Sequence, residues 1–185
     1  MRPRDLIRGG SVAVLAIATL ALASASSLSA ARADAYVSVT IDSQGKLTIT
    51  TKDGREISPA AEKDQVGFSN ARLSPDGRAV GWLADFPNCC TSYPIALQLV
   101  IYSNDRKQMF TGNGLPIAKW MFRDRGRRIA FEQETVHGGG GINYELWDLA
   151  SHRKVDGYSP KYGRDLQLLP DQRGPQWVQE LDALK

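Results

Sequence analysis

Cys89 and Cys90 are the only two cysteines in this 185-residue chain, and they are adjacent. Consecutive Cα atoms lie about 3.8 Å apart across a trans peptide. That is below the about 4.4–6.8 Å usual for a disulfide, so a bond between them would be strained. On a strand, neighbouring side chains face opposite ways and could not pair. In a loop flanked by Phe86-Pro87 and Tyr93-Pro94 they could, and strain would make the bond easily reduced. Four readings stay open: a vicinal disulfide, a plain thiol pair, metal ligation and an intermolecular bridge. A vicinal disulfide would act as a redox switch, as a sulfur platform for a ligand, or as a stiffened turn. Adjacent cysteines suit a single tetrahedral zinc poorly, because structural sites separate their ligands by two or more residues.

His137 stands before four glycines, Gly138 to Gly141. Histidine can ligate or act as a base near neutral pH, and glycine lets backbone approach a ligand closely. The bland alternative is a solvated histidine at a hairpin tip. The candidate ligand-binding set is therefore Asn88, Cys89, Cys90, Thr91, Tyr93 and His137. Asp85, Glu132 and Glu134 are carboxylates that could meet across the same face, but spread carboxylates read most simply as solvated charges. His152 falls in a turn expected on the opposite side. There is no G-x-S-x-G elbow, P-loop, H-E-x-x-H or dinucleotide fingerprint. The expectation is a binding domain rather than an enzyme, with no catalytic residue, metal or cofactor assigned.

The elements that must position these residues are strands. Runs such as YVSVTID, KLTITT, AVGWLAD, LQLVIYS, RRIAFEQ and NYELWDL alternate or are apolar, and Gly-, Asp- and Asn-containing turns separate them. The pattern repeats. Leu73-Ser-Pro-Asp-Gly-Arg-Ala-Val-Gly-Trp82 aligns with Phe122-Arg-Asp-Arg-Gly-Arg-Arg-Ile-Ala-Phe131. Both read apolar, three turn residues, Gly, Arg, any residue, β-branched, small, aromatic. The hairpins beginning at Leu47, Leu99 and Leu146 also align. Offsets near 50 residues suit four-stranded blades. Trp82, Trp120 and Phe131 fall on strands and read as core.

The SPDGR turn, the apolar–aromatic strand after it and the late Trp147-Asp148 resemble WD40-like β-propeller repeats. They are most similar to the Ser-Pro-Asp-Gly type of the periplasmic Tol-system propeller. The resemblance implies blades used mainly for protein contacts. The units would be a partial one at 36–58 lacking a first strand, and full ones at 69–111 and 117–157. That is too few to close a ring, since propellers need at least four blades. Three arrangements remain: an open sandwich-like stack, a ring completed by a second chain as a homo-oligomer, or strands supplied by the C-terminal segment. DLQLLP at 165–170 could be the missing strand. The fold class is thus all-β, with two to three antiparallel meanders and a short C-terminal helix. A tail over 158–185 would cover a sheet edge, because open edges invite association. Within it, Pro175 suits a first helical position, and Trp177, Val178, Leu181 and Leu184 share one helical stripe.

Residues 1–33 carry the three parts of a secretory signal: Arg2, Arg4 and Arg8, an apolar core, and Ala31-Arg32-Ala33. The core is short for a membrane span, which needs roughly 20 residues. No membrane insertion is expected after cleavage, and the location implied is periplasmic or secreted. The full chain has a formal net charge of +3, and losing four arginines and one aspartate leaves the remainder at zero. Nothing there favours nucleic acid. The remainder, 34–185, fits one domain. The expected partner is a protein or a small ligand, held by the loops 85–94 and 133–143, which should emerge on one side with 112–116. The alternative is an envelope redox or metal-handling protein using Cys89 and Cys90. A hydrolase ranks lowest.

Overall fold

The computed structural model describes residues 35–89, 91–137, 141–161 and 172–184. The signal-like segment 1–33, Cys90, Gly138 to Gly140 and the 165–170 stretch lie outside the described residues. Eleven strands form three antiparallel sheets among them. The first sheet holds β1 (Tyr36–Ile41), β2 (Leu47–Thr51) and β3 (Glu56–Ile57). The second holds β4 (Gly67–Leu73), β5 (Val80–Phe86), β6 (Ile95–Ser103) and β7 (Arg106–Thr111). The third holds β8 (Ile117–Arg123), β9 (Arg128–Glu134), β10 (Ile142–Asp148) and β11 (Arg153–Tyr158). Each strand pairs with the next in sequence, so every sheet is a meander and no barrel closes. Among the described residues one α-helix, α1 (Gln176–Asp182), follows. No helix among the described residues is long and apolar enough to cross a membrane. The mostly-β expectation, with three meanders and a short C-terminal helix, is what the chain adopts, and three such sheets fit a partial propeller.

The repeat explains how the sheets stack. In the second sheet, Val80 and Trp82 face the first and pack with Tyr36, Leu47 and Ile49. Their counterparts in the third sheet, Ile129 and Phe131, face the second and pack with Leu83, Leu99 and Ile101. Period-two alternation sends the residues between them the other way. Gly81 thus points at the third sheet, and Ala130 points at α1. The small position is there because a neighbour fills the space. A Cβ on Gly81 would overlap Trp120 and sit 2.7 Å from Ile101 Cδ1. Trp120 is fully buried, its indole donates to the Asn70 carbonyl at 3.0 Å, and Arg72 lies 5.8 Å over its ring. Asn70 reaches that position through a bulge in β4 and a φ of 49°.

α1 takes the place that a fourth sheet would have. Trp177, Val178 and Leu181 are buried against Ala130, Tyr144 and Leu146. Trp177 Nε1 donates to Asp156 on β11 at 2.9 Å, Tyr144 on β10 donates to Asp182 at 2.9 Å, and Arg123 on β8 pairs with Glu180. The helix therefore spans the outer face of the third sheet. Pro175 is the N-cap rather than the first helical residue, with ψ at 162°.

The turns of the two full units share a left-handed glycine but differ in build: the second is a 3-10 turn, Asp124–Gly126, in which Asp124 and Arg125 also have positive φ, at 49° and 58°. Buried Ser74 accepts from the backbone N–H groups of Arg78 (3.1 Å) and Ala79 (2.9 Å) and donates to Asp76 (2.7 Å). Gly77 and Gly126 both hold the left-handed conformation, at φ 69° and 92°, where a side chain would clash with the backbone. The two turns also touch: a Cβ on Gly126 would lie 2.9 Å from Asp76 Oδ1 and 3.0 Å from Ser74 Cβ.

Candidate functional site

The three non-repeating loops leave one end of the stack. Thr111, the last residue of β7, pairs with Gln98, and β6 continues past that pair to Ile95. The 87–94 and 112–116 loops therefore share an end. Asn113 donates its N–H to Gln133 Oε1 at 2.9 Å, and Glu134 donates to the Pro116 carbonyl at 3.1 Å. The 135–141 loop, which continues β9, is thereby tied to the same end.

The expected site residues divide by position. Asn88 Nδ2 donates to Thr91 Oγ1 at 3.0 Å, and Thr91 donates to the Tyr93 carbonyl at 2.6 Å. This short chain of bonds folds the 87–94 loop onto itself. Cys89 and Tyr93 are exposed, Tyr93 with over half its surface open. His137 is exposed on the neighbouring loop. The Cys89–Cys90 pairing cannot be described, because Cys90 lies outside the described residues. Among the described residues no group of three His, Cys, Asp or Glu side chains is arranged to hold a metal ion.

Two amides at this end were not singled out from the sequence. Gln133 is fully buried; its oxygen holds Asn113, and its Nε2 finds no acceptor among the described residues. The buried Nδ2 of Asn143 also lacks one, while its oxygen accepts from Ser159 at 2.8 Å. Asn143 and Gln133 are cross-strand partners on the face toward the second sheet. A signal was available. Gln133 continues the parity of Ile129 and Phe131, where a core strand would carry another apolar residue. A buried donor without an acceptor costs roughly 1–3 kcal/mol, so both amides are groups for a water or a ligand to satisfy.

The carboxylates do not form one cluster. Glu132 faces α1, because it alternates with Phe131 and Gln133. It is not the solvated charge its neighbours in sequence suggest: only 4% of it is exposed. Burial raises its pKa, the ion pair with Lys119 at 3.5 Å opposes the rise, and Glu134 and Asp182 add to it. Asp85 lies on the second sheet, where burial raises its pKa against a hydrogen bond from Ser69 at 2.9 Å. A carboxyl whose pKa is higher folded than unfolded favours folding as pH falls through the raised value, and opposes it once ionised. Replacing Glu132 with Gln should therefore raise the melting temperature at neutral pH. The gain should shrink as pH falls through the raised pKa. Melting curves of both proteins across pH 4–8 check this; a lower melting temperature for the variant at pH 7 would mean the Lys119 pair outweighs the burial cost.

The opposite end of the stack holds a cleft of about 390 Å³ between the second and third sheets. Arg78, Ser103 and Gln108 line it from one side, and Arg127 and Asp148 from the other. His152 lies beside it, its ring 4.7 Å from Phe110 and its Nδ1 3.4 Å from Gln108 Oε1.

No protein-family model matches the chain, and no curated protein matches it. Among solved structures, a chain of Kuenenia stuttgartiensis hydrazine synthase aligns with 71% of this chain at 16% identity and a TM-score of 0.44. The match covers 38% of that chain, so this protein corresponds to well under half of it.

Proposed function

We propose that the chain is an exported, non-enzymatic β-repeat domain, a partial propeller of WD40-like units. Through the loop end it holds a protein or small ligand. The observation that carries this reading is the coincidence of two features at that end. Exposed Tyr93, Cys89 and His137 sit on loops that depart from the repeat, and at the same end the buried amides of Gln133 and Asn143 have donors without an acceptor among the described residues. Loops on a rigid scaffold can vary without disturbing the core, which is why binding concentrates there. An exposed tyrosine is a frequent anchor of such contacts. Location in an envelope or outside the cell rests on the 1–33 segment, and a second copy of the chain remains one of the partners in view.

The test is capture from the native envelope with wild type and with the Tyr93→Ala/His137→Ala variant. Loss of one anchor of about 2 kcal/mol weakens retention roughly 30-fold. Partners retained equally by this variant, but lost by changes at the opposite end, would move the binding face away from these loops.

A further inference from the structure

The Gly-Arg of the repeat is more than turn grammar. Arg78 follows Gly77 and Arg127 follows Gly126, so the two arginines occupy equivalent places in successive units. Because the two turns touch, both arginines line the same cleft. Neither is ion-paired among the described residues. The acids beside them already hold hydrogen bonds, and the bonds from Ser151, helped by the nearby charges of Arg128 and Arg127, keep the Asp148 carboxyl below its usual range. Asp76 Oδ1 accepts from Ser74 and from the Arg78 N–H at 3.1 Å, and Asp148 Oδ1 accepts from the N–H and hydroxyl of Ser151 at 2.9 and 2.8 Å. Ser103, Asn104 and Gln108 add neutral polar groups. The Gln108 oxygen is turned to His152, which leaves its NH2 unengaged.

We propose that this cleft, at the end of the stack opposite the loops, is a second binding site, for a ligand carrying a carboxylate held between Arg78 and Arg127. A guanidinium matches a carboxylate with two parallel N–H donors. The two arginines only offset Asp76 and Asp148, so a bound carboxylate is held by directed guanidinium donors rather than by a net positive field. A phosphate dianion would meet those two carboxylates at greater cost. A volume of about 390 Å³ lies in the range of roughly 300–1,000 Å³ typical of small-ligand sites. The carboxylate comes either from a free small acid or from an acidic side chain of a peptide.

Amide NMR of the protein during titration separates these sources. Three probes are used: butyrate, a blocked hexapeptide whose sole charge is one glutamate, and inorganic phosphate. The expected result is a saturable shift of the Arg78, Gly126, Arg127 and Leu149 amides with at least one carboxylate probe, and at least tenfold weaker binding in Arg78→Gln and in Arg127→Gln. A response to butyrate identifies a free-acid site, and a response to the peptide alone identifies an acidic side chain. The variants must keep wild-type spectra away from the cleft. Three results would overturn the proposal: no saturable shift with either carboxylate, shifts unchanged in both variants, or phosphate binding as tightly as the carboxylates. None of these depends on the loop end, so either site can fail alone.

Discussion

Replacing Trp120 with alanine should lower the unfolding free energy by about 3–5 kcal/mol, the usual cost of emptying a buried tryptophan site. Domains of this size are stable by only about 5–15 kcal/mol, so the variant should be close to unfolding at moderate temperature. The cost has identifiable parts. The indole fills the space left by Gly81, meets Phe122 edge-on with ring centroids 5.1 Å apart, and satisfies the Asn70 carbonyl. Urea denaturation measures the loss. A second substitution makes the argument sharper. Gly81→Ala in the wild type pushes a methyl into the indole and Ile101, and overpacking of this kind costs about 1–3 kcal/mol. In the Trp120→Ala background the same methyl enters vacated space. The Gly81→Ala penalty should then shrink to what Ile101 alone imposes, giving a coupling free energy of about 1 kcal/mol or more between the two sites. Strict additivity would show that Gly81 and Trp120 do not share that space.

The helix at the far end of the stack should matter as much. Leu181 is completely buried in an apolar cluster with Ala130, Tyr144 and Leu146. Leu181→Asp would set a charge in that apolar cluster, and burying an unpaired charge is far costlier than releasing a seven-residue helix. The expected result is detachment of α1 and exposure of Ala130, Tyr144 and Leu146 on the outer face of the third sheet. An uncovered apolar sheet face associates. The variant should therefore show concentration-dependent growth in size by light scattering, together with loss of the near-ultraviolet signal from Trp177. Trp177→Ala, which leaves no charge, should instead cost about 3–5 kcal/mol. Should Leu181→Asp keep the wild-type size distribution at all concentrations, the helix is not what shields that face.

Much of this was legible in the residues because strand alternation and the near-50-residue offset are local signals. Val80 and Trp82, then Ile129 and Phe131, announce both the strands and the side each strand buries. Trp177, Val178 and Leu181 announce a helix with one apolar stripe. Three-dimensional contacts between units were not legible. Nothing in Phe131-Glu132-Gln133-Glu134 says which of its polar residues go inside. Glu132 is buried because a helix nearly fifty residues later covers it, and Gln133 because β9 carries its core-facing parity one residue too far for an apolar chain. The cleft was hidden for a related reason. Repetition reads as scaffold, and the period says that Arg78 and Arg127 are equivalent. It does not say that the turns carrying them come into contact. That contact depends on the angle between neighbouring sheets, which no single repeat encodes.

The order of the layers has a consequence for how the molecule opens. One apolar cluster joins the first sheet to the second, another joins the second to the third, and a third joins the third sheet to α1. Such a linear array couples only nearest neighbours. Releasing the first sheet breaks one interface, and so does releasing the helix, whereas neither the second nor the third sheet can unfold without breaking two. Local opening therefore begins at the ends, and amide protection rises toward the central strands of the second and third sheets. A ligand in the cleft would fasten the third sheet to the second and slow that fraying from one side, while leaving the first sheet as free to open as before.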